Sequence, residues 1–149
     1  IRDSQMGVQI VWQCGSLYKK EFLPLQKNNV NVTPFIDDMT TAYATADVII
    51  SRAGALAVSE LCQVGKAVLF IPSPNVAENH QYKNAMAIAN EEAAVVIEEK
   101  ELENRFQSEI EALLTDVEWR AKLGKNIKKL AKPNATKSIV KQINALVND

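Results

Sequence analysis

Five short apolar runs rich in β-branched residues punctuate the chain: Val8 to Trp12, Val30 to Thr33, Val48 to Ile50, Val68 to Ile71 and Ala94 to Ile97. Continuous runs of this kind suit strands covered on both faces. Helical patterns separate them: Tyr18, Phe22 and Leu25; Met39, Ala42, Tyr43 and Ala46; Leu56, Leu61 and Val64; Tyr82, Ala85, Met86 and Ala89. Strands alternating with helices require a parallel sheet with right-handed crossovers, because parallel neighbours cannot be joined by a hairpin. The expected fold class is therefore α/β, an open doubly wound, Rossmann-like parallel sheet whose ligands collect at the carboxyl ends of the strands. Asp37 and Asp38 stand where a helix cap belongs, and Gly65 stands where a glycine would end a helix.

From about residue 101 the pattern becomes wholly helical. Leu102, Phe106, Ile110 and Leu113 form one stripe, Trp119, Leu123, Ile127 and Leu130 a second, and Ile139, Ile143 and Leu146 a third, with Pro133 and Asn134 between the last two. At 149 residues the chain is expected to be one domain, 1–149, with a helical tail. Starting at Ile1 rather than methionine, it is expected to be a piece of something longer. No apolar run approaches the roughly 20 residues that span a bilayer. Cys14 and Cys62 are too few for a disulfide framework or a metal cage, which favours a reducing compartment. Charge is uneven: Glu78 to Glu118 holds eleven acidic and three basic residues, and Trp119 to Asp149 holds eight basic residues with only Asp149 acidic. No aromatic residues interleave with these cations for base stacking, so nucleic acid is disfavoured as a partner.

The segment Asp47 to Glu60 reads as a strand, a tight turn at Gly54 and a helix with a carboxylate in its second turn. A helix start offers unpaired N–H groups and the positive end of a dipole, so Gly54, Ala55, Leu56 and Ala57 suit a diphosphate. Glu60 lies about 7 to 9 Å further along the axis at roughly 1.5 Å per residue, the reach from a phosphate to its ribose. A carboxylate accepting two hydrogen bonds matches a vicinal diol. Phe35 and Ile36 follow a strand end at Pro34, where they either hold a planar base or pack in the core. At helical spacing His80, Gln81 and Asn84 share a face near a helix start, and amides that donate and accept are what sugar hydroxyls require. His80, the only histidine, reads as a hydrogen-bonding or capping residue more readily than as a general base. Arg52 either neutralises phosphate or braces the loop against Asp47 or Glu60. There is no Asp-x-Asp pair, so nothing argues for a metal on the diphosphate, and no Walker loop, nucleophile elbow or complete Gly-x-Gly-x-x-Gly; no cofactor is expected.

With these loops in hand, the sequence resembles the bacterial lipid II-forming N-acetylglucosaminyltransferases, the MurG family, in their carboxyl-terminal half. The matching stretches are Phe35-Ile36-Asp37-Asp38-Met39, Ala46-Asp47-Val48, Ser51-Arg52-Ala53-Gly54-Ala55-Leu56, Val58-Ser59-Glu60, Ile71-Pro72-Ser73-Pro74 and Asn79-His80-Gln81, closing on Asn84-Ala85. The resemblance is close from Val8 to Leu102 and loose in the helical tail. It implies an inverting, metal-independent hexosyltransferase of the two-domain GT-B type. Such an enzyme moves N-acetylglucosamine from UDP-N-acetylglucosamine to undecaprenyl-diphosphate-linked muramoyl pentapeptide in peptidoglycan synthesis. It also implies a peripheral location on the cytoplasmic face of the cell membrane.

Carried over, Ile36 would contact uracil through its backbone, Ala55, Leu56 and Ala57 would lie beside the diphosphate and sugar, and Glu60 would hold the ribose. Val58 and Ser59 fall in the same binding stretch, and Gln81 with Asn84 would bind the sugar hydroxyls, with His80 beside them. Ala57 stands where many relatives have threonine. The family's glycine-rich loop and acceptor domain are not found in this sequence, so the catalytic base is expected outside it and the chain alone is expected to be inactive. Other UDP-sugar enzymes on the same scaffold, a 2-epimerase or a two-subunit transferase, are the alternative. A receiver-like signalling domain would need acidic residues after the first strand, where Gln13, Cys14 and Gly15 stand instead.

Overall fold

β4 (Ala67–Phe70) is buried at every residue and is the centre of the larger part of the molecule. A computed structural model describes residues 7–147, which fall in two compact units that divide between Ala46 and Asp47. In the second unit β4 is paired in parallel on both sides, with β3 (Val48–Ser51) and with β5 (Val95–Val96). The register sets Ser51 opposite Phe70 and Leu69 opposite Val95, so the carboxyl ends of all three strands lie along one edge. α3 (Ala55–Val64) crosses from β3 to β4, and α4 (His80–Ala89) from β4 to β5. α5 (Leu102–Thr115), α6 (Val117–Lys129) and α7 (Ala135–Val147) follow.

In the first unit β1 (Ile10–Gln13) and β2 (Val30–Thr33) form a parallel ladder with Ile10 opposite Val30. The crossover between them contains α1 (Lys19–Phe22), where Trp12, Phe22 and Tyr18 cluster, the Trp12 and Phe22 ring centres lying 4.8 Å apart. After β2 comes α2 (Met39–Thr45). The architecture is α/β and Rossmann-like, as the alternation of runs predicts. Covering on both faces, expected of all five runs, holds fully only for β4. β1 and β2 instead alternate between more and less buried positions, and Val30 and Val32 are the buried pair of β2.

The core of the second unit is Leu61, Val68, Leu69, Phe70, Ala85, Ile97, Leu113 and Ile127, all at most 2% exposed, so both the crossovers and the helical tail contribute. Of the three tail stripes, the first two seal this core through Ile110, Leu113, Leu123 and Ile127. The third does not: α7 buries no residue, and Ile139, Ile143 and Leu146 are 59%, 52% and 80% exposed. A periodic apolar pattern shows which face a helix can bury, and here no described residue covers it.

Two of the sequence caps are in place. Asp38 caps α2, its carboxylate accepting from the Thr41 N–H at 3.0 Å and the Thr41 hydroxyl at 2.6 Å. Gly65 ends α3 at φ 73°, a left-handed conformation that glycine adopts without a Cβ penalty. The second close approach involves Gly124 of α6, where a Cβ would stand 2.7 Å from the Gly65 carbonyl oxygen. That oxygen is backbone and cannot swing aside. Gly124→Ala is therefore expected to lower stability by about 1–3 kcal/mol, read in urea unfolding.

The Thr41 hydroxyl first, then the Thr41 N–H, hold the Asp38 carboxyl below its ordinary value of 3.8. With the folded pKa the lower of the two, the contribution of Asp38 is complete above the unfolded value and is lost as pH falls through the folded one. Carboxyl NMR should find its midpoint below 3.8, and Asp38→Asn should shallow the acid limb of the stability profile; an ordinary midpoint would contradict the cap.

Candidate functional site

The turn between β3 and α3 is organised by the direction of its carbonyls. Ser51 O accepts from the Ile71 N–H at 2.9 Å, Arg52 O from the Ser51 hydroxyl at 2.9 Å, Ala53 O from Asn84 Nδ2 at 3.1 Å and Gly54 O from the Val58 N–H at 2.9 Å. All four acceptors of the turn are thus engaged. The first N–H groups of α3 have no intrahelical partner by geometry, and no side chain caps them. The loop therefore presents donors and withholds acceptors, which is the polarity an anion requires.

Gly54 adds a second sign. Its φ of −64° and ψ of 147° are open to any residue, and a Cβ there would meet nothing within 4 Å. The tight turn that the sequence suggested does not need glycine for its backbone. What glycine does leave is open space in front of the helix start, where a bound group can approach the main chain.

Ala55, Leu56, Ala57, Val58, Ser59 and Glu60 fill the first turns of α3. Leu56 is 89% exposed, and Glu60, four residues on and so on the same helix face, is exposed as well. The carboxylate is neither sealed in the core nor at the far end of the sheet: it stands on the helix that begins at the carboxyl edge.

The β4–α4 loop reaches that edge through two left-handed residues, Glu78 (φ 52°) and Asn79 (φ 53°). Nothing in the sequence beyond the asparagine itself signals this. His80 is exposed, and its Nδ1 lies 2.7 Å from Ala77 O, a hydrogen-bonding role within the loop. Gln81 Oε1 accepts from the Ser73 N–H at 3.0 Å, which leaves its Nε2 donors for another group. Asn84, by donating Nδ2 to Ala53 O, keeps Oδ1 as an acceptor. The two amides thus differ in what they offer: donors from Gln81, an acceptor from Asn84.

Arg52 joins neither Asp47 nor Glu60 in its strongest contacts. Its Nη1 lies 2.5 Å from Glu99 Oε1 and donates to Ile71 O at 3.0 Å, the brace reading with partners that sequence reasoning missed. Glu99 is distant in sequence and carried by the short turn after β5, so only the parallel register brings it to this edge.

Ile36 belongs to the first unit. Its N–H donates to Gln13 Oε1 at 2.9 Å, and Thr33 Oγ1 donates to Phe35 O at 2.7 Å. Phe35 is 62% exposed and so is not a core residue.

A cleft of about 440 Å³ lies elsewhere in the second unit, at the amino edge of β4, among Asp47, Lys66, Arg120, Lys125 and Lys128. Two of its cations are committed to helix ends: Arg120 Nη1 donates to Leu113 O and Leu114 O, and Lys128 Nζ to Gln63 O. They neutralise the negative ends of α5 and α3.

The second unit is thus Rossmann-like, with an open helix start at its carboxyl edge, a carboxylate further along that helix and two oriented amides on α4. The chain matches the glycosyltransferase family 28 C-terminal domain over residues 2–143 and belongs to that family. It is 54% identical over 142 residues to the UDP-N-acetylglucosamine--N-acetylmuramyl-(pentapeptide) pyrophosphoryl-undecaprenol N-acetylglucosamine transferase of Flavobacterium psychrophilum, covering 95% of this chain and 39% of that protein. The enzyme of the same name from Christiangramia forsetii is 55% identical over 143 residues, covering 96% and 39%. The crystal structure of Acinetobacter baumannii MurG superposes with a TM-score of 0.85 at 30% identity, over 97% of this chain and 43% of that one. These matches bear out the MurG resemblance read from the loops. The chain spans about two fifths of the length of the relatives it matches.

Gly54→Ala should leave the melting temperature nearly unchanged, since the methyl meets open space. It should weaken binding of an inorganic pyrophosphate probe at the open helix start by about 1–3 kcal/mol in calorimetric titration, the usual cost of a methyl forced into a close contact. Unchanged pyrophosphate binding would remove the reason given for glycine here.

Proposed function

We propose that this chain is the donor-binding half of a glycosyltransferase that transfers N-acetylglucosamine from UDP-N-acetylglucosamine to undecaprenyl-diphosphate-linked muramoyl pentapeptide, completing the disaccharide unit of peptidoglycan. The observation that carries the reading is the β3–α3 turn, with every carbonyl engaged and its helix-start donors open, followed by exposed Glu60.

In this reading the diphosphate rests on the N–H groups of Ala55, Leu56 and Ala57, and Glu60 accepts from the 2′- and 3′-hydroxyls of the ribose. Val58 and Ser59 complete the helix wall. Gln81 Nε2 donates to one sugar hydroxyl and Asn84 Oδ1 accepts from another, with His80 holding the loop beside them. On the first unit, the Ile36 carbonyl is the group proposed to accept from the uracil N3–H.

Cleavage of the sugar–phosphate bond moves negative charge onto departing UDP. Fixed N–H dipoles at a helix start stabilise that charge more as it grows, which lowers the barrier without requiring a protonated side chain at the leaving group. The acceptor hydroxyl needs a base from outside the residues described here.

In this reading the lipid-linked acceptor brings the protein peripherally to the inner face of the cell membrane. Among the described residues no helix is long and apolar enough to cross a membrane.

UDP and UDP-N-acetylglucosamine should each shift the amide signals of Ala55, Leu56 and Glu60 in an NMR titration. Glu60→Ala should weaken UDP by about 1.5–3 kcal/mol, the scale of hydrogen bonds to a charged group, with little change in melting temperature. A loss of the same size for inorganic pyrophosphate, which has no ribose, would mean that the carboxylate does not recognise ribose.

A further inference from the structure

We propose that Arg52 is a positioning residue for the diphosphate site, setting the β3–α3 turn through Glu99 and the Ile71 carbonyl without touching the phosphate; this rests on the diphosphate reading above.

One guanidinium group ties together three successive loops of the carboxyl edge. Arg52 itself sits in the loop after β3, Ile71 directly follows β4, and Glu99 lies in the turn after β5. Glu99 is itself held in a fixed turn, because Glu98 and Glu101 cap that turn reciprocally. Glu101 is in turn bound by Arg105, which also reaches Glu109 at 2.8 Å. The brace is therefore anchored to α5.

The opposite side of the same turn is held by Asn84 through Ala53 O. Both attachments lie on the amino side of Gly54, and on its helix side the Gly54 carbonyl accepts from the Val58 N–H at 2.9 Å. A turn tied on both sides of Gly54 keeps the donors that follow it aimed, and alignment made before binding is affinity not lost to ordering.

Charge argues the same way. Glu99 at 2.5 Å compensates the Arg52 charge, so little net positive potential is left for a phosphate. Two readings of Arg52 then make opposite demands on Glu99. If Arg52 were the phosphate's counter-ion, Glu99 would compete with the ligand. If Arg52 is a brace, Glu99 assists it.

The test is a double-mutant cycle of Arg52→Gln and Glu99→Gln, with UDP affinity, melting temperature and ligand-free amide spectra measured for the parent, both single variants and the double. The brace predicts that Glu99→Gln weakens UDP about fivefold, that Arg52→Gln does the same within a factor of about two, and that the double variant is no worse than either, as for residues acting as one unit. Melting temperatures should stay together, and in the absence of ligand Glu99→Gln should already move the amide signals of Ala55, Leu56 and Ala57.

Unchanged or tighter UDP binding by Glu99→Gln, or losses that multiply in the double variant, would overturn the proposal. Should the parent itself fail to bind UDP, the diphosphate reading falls separately. The ligand-free spectra then decide whether the brace exists: shifted helix-start amides in Glu99→Gln support it, and unmoved ones overturn it.

Discussion

A turn cannot present donors to a ligand while its own acceptors are unpaired nearby, and the segment from Ser51 to Gly54 meets that constraint one carbonyl at a time. The partners come from a neighbouring strand, from the turn's own serine, from α4 and from α3. The parallel register supplies the first, because Ser51 opposite Phe70 brings the Ile71 N–H to Ser51 O. The α4 crossover supplies Asn84. Sheet order, crossover placement and local hydrogen bonding therefore converge on the electrostatic sign of one small surface.

The same economy explains why the amides of α4 each show one polarity outward. Gln81 and Asn84 are symmetrical in chemistry, both able to donate and accept. Their attachment to Ser73 N and Ala53 O breaks the symmetry in opposite directions. The hydroxyl-rich ligand proposed above would meet a donor at one place and an acceptor at another, and its own hydroxyl rotors would adapt to that order. Under that proposal, contacts that hold the loops in shape also set selectivity.

Much of this was legible before any coordinates. The strand and helix runs, the Asp38 cap and the Gly65 stop follow from local periodicity and backbone preference, and each element lies within a few residues of its pattern. The Arg52–Glu99 pair was not legible, because a partner 47 positions away is chosen by strand order and not by spacing. Nor was the left-handed path through Glu78 and Asn79, which a short polar loop does not announce. The backbone of Gly54 is ordinary, and its interest lies in the space it leaves at the helix start. The uneven charge of the tail did not show that Arg120 and Lys128 serve the carbonyl ends of neighbouring helices.

The third apolar stripe has a thermal consequence. α7 is a 13-residue helix that buries none of its side chains, and isolated helices of about 12–15 residues are marginal in water. Its hydrogen bonds therefore draw almost nothing from the cooperative melting of the Phe70 core. On warming, this segment should fray while the sheet beneath Leu61 and Ile127 is still intact, so that loss of helicity begins well before loss of tertiary structure.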